Sequence, residues 1–151
     1  MNKNIGKILI SASFFAFIDQ ITKYLATLYA KEPVYLIGDF FKFEYAENTG
    51  IAFSIPIPMA LLIILNVALL IAIFYLIIKE LNISQKLTHI ASGMLLGGAL
   101  GNLIDRLTNG FVIDFISIWK WPTFNMADVY IVAGILLLII FYAKIKKDLT
   151  K

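Results

Sequence analysis

The sequence predicts a mainly α membrane protein, with four transmembrane helices and a small extracytoplasmic β-sheet or cradle between the first two. Three observations predict it. Of 151 residues, 60% are hydrophobic and 15% charged, against roughly 25% charged in an ordinary soluble domain. The apolar residues fall into four runs, each long enough at about 1.5 Å per helical residue to cross a hydrocarbon layer about 30 Å thick. The lysines flank these runs instead of gathering on one face. A net charge of +3 therefore reads as a topology signal, and no nucleic-acid partner is expected.

The spans run from about Ile5 to Tyr29, Ile57 to Ile78, Leu87 to Ile104 and Met126 to Ala143, with outer segments at about 30–56 and 107–125, in a single domain covering 1–151. In the first run Lys3 and Lys7 precede the apolar stretch and Leu28-Tyr29-Ala30 loosely resembles a cleavage site, but Asp19, Gln20 and Lys23 favour a retained anchor over a cleaved signal peptide. The second run is broken only by Asn66 and follows Pro56 and Pro58, residues suited to a helix start. In the third, Gly93, Gly97 and Gly101 recur every four residues with Gly98 beside them, a small-residue stripe that lets helices approach closely. The fourth begins directly after Asn125, a favoured N-cap.

Placing the N-terminus inside collects Lys3, Lys7, Lys79, Lys86, Lys144, Lys146, Lys147 and Lys151 on the cytoplasmic side, and leaves Lys31, Lys42 and Lys120 in the outer segments. Both termini are thus expected to be cytoplasmic. In the first outer segment, Val34 to Tyr45 carries a Gly38-Asp39 turn signal, and Phe41 to Tyr45 alternates apolar and polar as a strand does. In the second, Trp119 and Trp121 suit an interfacial belt.

With this topology the polar residues fall at one depth. Asp19 and Lys23 lie toward the outer end of the first helix, Asn102, Asp105 and Arg106 at that of the third, and Asn125 and Asp128 at the outer start of the fourth. Asp114 and Asn48 lie in the outer segments. An ionisable residue at membrane depth costs about 2.5 to 3.5 kcal/mol, so such residues must be paired, hydrated or used. Asp19 with Lys23 fits a structural ion pair equally well, Asp105 with Arg106 fits an interfacial anchor, and Asn125 fits a simple cap. Asp114, inside the apolar string Phe111 to Ile116, has no structural excuse.

Two carboxyls sharing a site cannot both stay ionised. If Asp114 and Asp128 meet, the ionised one can deprotonate a water and the protonated one can donate to an amide carbonyl, with no metal, cofactor or nucleophilic side chain required. The alternatives are a Ser54 and Lys23 dyad, a small proton-coupled transporter or channel subunit relaying protons through Asp19, Asp114 and Asp128, and a scaffold that would tolerate Asn at both positions.

Five strings carry a resemblance over nearly the whole chain: Asp19-Gln20-Ile21-Thr22-Lys23, Asn48-Thr49-Gly50-Ile51-Ala52-Phe53, Gly97 through Arg106, Val112-Ile113-Asp114-Phe115, and Phe124-Asn125-Met126-Ala127-Asp128. In this order they resemble the motif blocks of the lipoprotein signal peptidases, also called signal peptidase II. The resemblance implies an aspartic endopeptidase of the bacterial inner membrane that cuts prolipoproteins before a diacylglyceryl-modified Cys. It implies Asp114 and Asp128 as the catalytic pair, and Asp19, Lys23, Asn48, Gly50, Asn102, Asp105, Arg106 and Asn125 as residues that bind substrate or shape the site. It also implies lipidated prolipoproteins and membrane lipids as partners. A diacylglyceryl group would keep the scissile bond near the outer-leaflet interface, where the topology already sets the polar residues; residues 34–54 are expected to serve as a lid or cradle, and the protein to act as a monomer.

Overall fold

The computed structural model describes residues 3–50 and 58–146. Its elements are α1 (Lys3–Tyr29), β1 (Val34–Ile37), β2 (Phe41–Asn48), α2 (Met59–Glu80), α3 (Lys86–Thr108), β3 (Val112–Ile118), α4 (Met126–Ile140) and the short α5 (Tyr142–Ile145). Pro56, the start of the second run, residues 51–54 of the expected lid, and Lys147 and Lys151 lie outside the described residues.

Helix α3 is the centre of the bundle because its glycines remove the side chains that would hold neighbours off. A Cβ on Gly93 would strike Ser11, one on Gly97 would strike Ala12 and Phe15, and one on Gly101 would strike the Asp19 carboxyl, all on α1. Gly98, one position round the helix, faces the Ala127 carbonyl and Ile131 of α4 in the same way. The expected stripe thus serves two neighbours. Helix α1 answers with a buried edge of Ile8, Ala12, Ala16, Asp19, Lys23 and Ala26, spaced by three and four residues. Helix α2 is held more loosely, burying only Leu62 and Ile77.

Two apolar clusters close the ends. Ile8, Ala12, Ile77, Leu81, Leu96 and Ile145 pack at one end. At the other, Phe115 of β3 packs with Ala26 and Ala30, joined by Phe43 and Met126, and this fastens the sheet to the end of α1.

The structure departs from the sequence expectation in two respects. Helices α1, α2 and α3 are long and apolar enough to span a membrane. Helix α4 has 15 residues, about 22 Å at 1.5 Å per residue, and stops short of the expected Ala143 because the backbone breaks at Phe141, with φ −102° and ψ 13°. The sheet, in turn, is not confined to the segment between the first two helices. Its order is β1-β2-β3, and β3, from the second connection, runs antiparallel to β2 from Phe41 opposite Ile118 to Asn48 opposite Val112. Val112 to Phe115 are all buried, so the first half of β3 lacks the alternation that marks a half-exposed strand, which begins only at Ile116. The β1–β2 turn uses Gly38 at φ +45°, as its Gly-Asp pair predicts.

Because Gly98 lies against the Ala127 backbone at the first turn of α4, Gly98→Ala should destabilise the protein by about 1–3 kcal/mol through overpacking. A lowered unfolding temperature in detergent checks it. An unchanged one would mean that α3 and α4 separate without cost.

Candidate active site

A buried lysine organises the sheet end of the bundle. The Lys23 ammonium lies 2.8 Å from Asp19 Oδ2 and 2.9 Å from Asp105 Oδ2, and donates to Asn102 Oδ1 at 2.9 Å. Removing one member of a buried ion pair typically costs 3–5 kcal/mol, so each carboxylate here has further donors. Asp19 Oδ1 accepts from the Ala127 N–H at 2.7 Å, within the first turn of α4, where the helix dipole favours an anion. Asp105 accepts from Gln20 Nε2 at 2.9 Å and from the Ile113 N–H at 3.0 Å. The cluster ties α1, α3, β3 and α4 together.

The two remaining aspartates sit one layer further on. Asn125 forms a capping box with Asp128: its side chain accepts from the Asp128 N–H at 3.0 Å, and Asp128 Oδ2 accepts from the Asn125 N–H at 3.2 Å. Its amide nitrogen then donates to Asp114 Oδ1 at 2.7 Å. Asn125 is therefore a cap and a contact to Asp114 at once. Asn48 Nδ2 donates to Asp114 Oδ2 at 2.9 Å, and Asn102 Nδ2 to Asp128 Oδ1 at 2.9 Å. All four oxygens of the two carboxyls thus meet N–H donors, which favour charge on the pair.

Asp114 and Asp128 line the same cavity of about 320 Å³, together with Asn48, Gly50, Asn102 and Arg106, and with a wall from Trp121 to Phe124. The structure brings these six expected site residues to one space. Asp19, Lys23 and Asp105 do not line it, and Asn125 is buried beneath it. Asp105 and Arg106 do not act as one anchor, because adjacent positions on a helix do not face each other. Asp105 turns in to Lys23, while Arg106 turns to the cavity, where its Nε has no hydrogen-bond partner among the described residues. Lys23 gives its three protons to three acceptors as an ammonium, which leaves no free amine to act as base for a serine; Ser54 lies outside the described residues.

Burial pushes the Asp114 carboxyl up from the ordinary 3.8 to about 6, repulsion from Asp128 adds to the rise, and the Asn48 and Asn125 amides oppose it. Sequence reasoning missed the Gln20 contact to Asp105 and the wall from Trp121 to Phe124. Gln20 was visible beside Asp19, but only the packing of α1 on α3 shows where it points. The wall is placed by Phe124, which bonds through its backbone to Phe115 and Ile116 of β3.

An apolar bundle capped by a small sheet, with a carboxyl-lined cavity at the sheet end, has the architecture of a membrane enzyme. The chain superposes on two solved structures described as bacterial membrane enzymes. One has a TM-score of 0.80 at 33% identity, over 93% of this chain and 89% of the other; the second has 0.75 at 30%, over 93% and 94%. The profile of the family described as signal peptidase (SPase) II matches residues 11–144. The chain belongs to that family and is an aspartic endopeptidase. Among its relatives are the lipoprotein signal peptidases of Chlorobium phaeobacteroides, 40% identical over 91% of this chain and 90% of the relative, and of Clostridium tetani, 40% identical over 84% and 86%. The transporter reading finds no support, since the match is to a peptidase.

The raised Asp114 value fixes the sign of a pH effect. The folded protein holds a proton there between about pH 4 and 6 that an unfolded chain would release, so this contribution to stability is present at low pH and is lost as pH rises through about 6. Asp114→Asn never ionises. Its unfolding temperature relative to the parent should climb from pH 4 to pH 7, and a difference that stays flat would contradict the buried, proton-retaining environment.

Proposed function

We propose that the protein cuts prolipoproteins immediately before a diacylglyceryl-modified Cys, with Asp114 and Asp128 as the catalytic pair. The observation that carries this reading is that both carboxyls line one cavity, at the sheet end of the bundle. The reactive form of the pair carries one proton, in this reading on Asp114, the more deeply buried carboxyl. Asp128 takes a proton from a water as that water attacks the scissile carbonyl, and Asp114 donates to the carbonyl oxygen. Asp128 then returns its proton to the leaving nitrogen while Asp114 takes one back from a hydroxyl of the tetrahedral diol, so that the C–N bond breaks, the acid and amine products form and both carboxyls regain their starting states. The amides of Asn48, Asn102 and Asn125 hold the carboxyls in register, and the Arg106 guanidinium supplies a cation to the substrate backbone or ester oxygens.

In this reading the whole chain is one domain with four spans. The fourth is α4 continued through α5, short enough to end within a thinned or tilted bilayer. Both termini are cytoplasmic, following the lysine distribution, and the sheet and cavity lie at the outer-leaflet interface of a bacterial inner membrane. Each acyl methylene contributes about 0.8 kcal/mol to anchoring, so two acyl chains hold the cut site at that depth and the enzyme works as a monomer among lipids.

Mass spectrometry of products from a diacylglyceryl-modified peptide and its unmodified twin tests the assignment. The modified peptide should yield a fragment beginning with the lipidated Cys, at a rate at least tenfold above the unmodified one. Equal cleavage of both, or none of the modified peptide, would overturn it.

A further inference from the structure

The amide of Asn102 can sit either way round, and its orientation decides what Asp128 meets. With nitrogen toward Asp128 the carboxyl receives an N–H, as observed at 2.9 Å. Reversed, an amide oxygen would face a carboxylate oxygen, and the two would repel. Nothing in Asn102 itself selects between these.

The selection comes from the donors on its oxygen, of which the closer and charged one is on α1. An ammonium has three donors and no acceptor, so only the oxygen of Asn102 can lie 2.9 Å from Lys23 Nζ. Asn125 Nδ2 reaches the same oxygen at 3.1 Å, and its own orientation is fixed because its side-chain oxygen accepts from the Asp128 N–H. Lys23 is 1% exposed and absent from the cavity wall, so it has no path to substrate. Its other two protons go to Asp19 and Asp105, which hold it in place and charged.

We propose that Lys23 is a positioning residue: it locks the Asn102 amide so that an N–H faces Asp128, and thereby keeps that carboxylate in place and available as the base. This rests on the reading of Asp128 as a catalytic residue. Asp128 faces Asn102 and Arg106 from α3, Asp114 from β3 and Asn125 at its own helix start, and Lys23 with Asp19 and Asp105 lies one residue behind. The sequence string pairs Lys23 with Asp19 and gives no sign of a third partner on α3.

The test is steady-state cleavage of the modified peptide by Lys23→Met and Asn102→Asp, alone and combined, with unfolding curves for each. Asn102→Asp keeps an acceptor for Lys23 but removes the N–H toward Asp128. Because Lys23→Met leaves two carboxylates without a counter-charge, the measurement is repeated in Lys23→Met/Asp105→Asn, where a lost anion matches the lost cation. For folded protein kcat should fall about 100-fold, the scale of a small misplacement at a reacting group. KM for the lysine variants should stay within about threefold, and the combination should lose no more than the worse single change. Parent kcat in folded Lys23→Met or in the compensated variant overturns the proposal, as does a raised KM at parent kcat. If neither lysine variant folds, parent kcat in Asn102→Asp overturns it and a 100-fold loss sustains it. Asp128→Asn is run alongside: its turnover at the parent rate would remove the catalytic reading itself, whereas an inactive Asp128→Asn beside fully active lysine variants removes only the role of Lys23.

Discussion

Taking a lysine ammonium out of water and into an apolar bundle costs several kcal/mol, and the sheet end of this protein is arranged around offsetting that cost at Lys23. Two carboxylates and one amide oxygen surround the ammonium at 2.8–2.9 Å. Each carboxylate is in turn satisfied by the backbone of a different element, Asp19 by α4 and Asp105 by β3. The ionic network therefore sets where the fourth helix begins and where the third strand leaves α3. Asp128 and Asp114 sit on those two elements.

The close helix packing and the polar layer are one device. Asp19 can reach the Ala127 N–H only because Gly101 leaves room for its carboxyl, and α4 can approach only because Gly98 has no side chain against Ala127. In lipid there is no hydrophobic drive for helices to associate, so packing and internal hydrogen bonds must supply it. Here the hydrogen bonds that hold the helices together are those that orient the site. Outside this layer the bundle is looser, with α2 burying few of its residues.

How much of this the sequence shows depends on the range of each interaction. The three long apolar helices, the glycine stripe, the Gly38 turn and the capping role of Asn125 all rest on local spacing, and they can be read residue by residue. Helix α3 reads correctly as the small-residue helix, although it runs on to Thr108, past the expected Ile104, which sets Asp105 and Arg106 in its last turns. Strand β3 was not legible because its partner β2 lies more than sixty positions earlier and the burial of Val112 to Phe115 on both faces erases the period of two over its first half. The Lys23–Asp105 pair was hidden for the same reason: spacing pairs Lys23 with Asp19, while Asp105 arrives from another helix. The end of α4 at Phe141 goes unmarked by composition, since the apolar run continues through it.

Two aspartates from different elements, each bathed in N–H donors and opening on one cavity, form the centre of the account. The most direct test is single-turnover cleavage of a diacylglyceryl-modified prolipoprotein peptide by Asp114→Asn and Asp128→Asn, with a chelator present throughout. The account predicts that each variant folds and loses at least about 10³-fold in rate, within the range of general acid–base contributions, while the parent is indifferent to the chelator. Parent-like cleavage by either variant would contradict it.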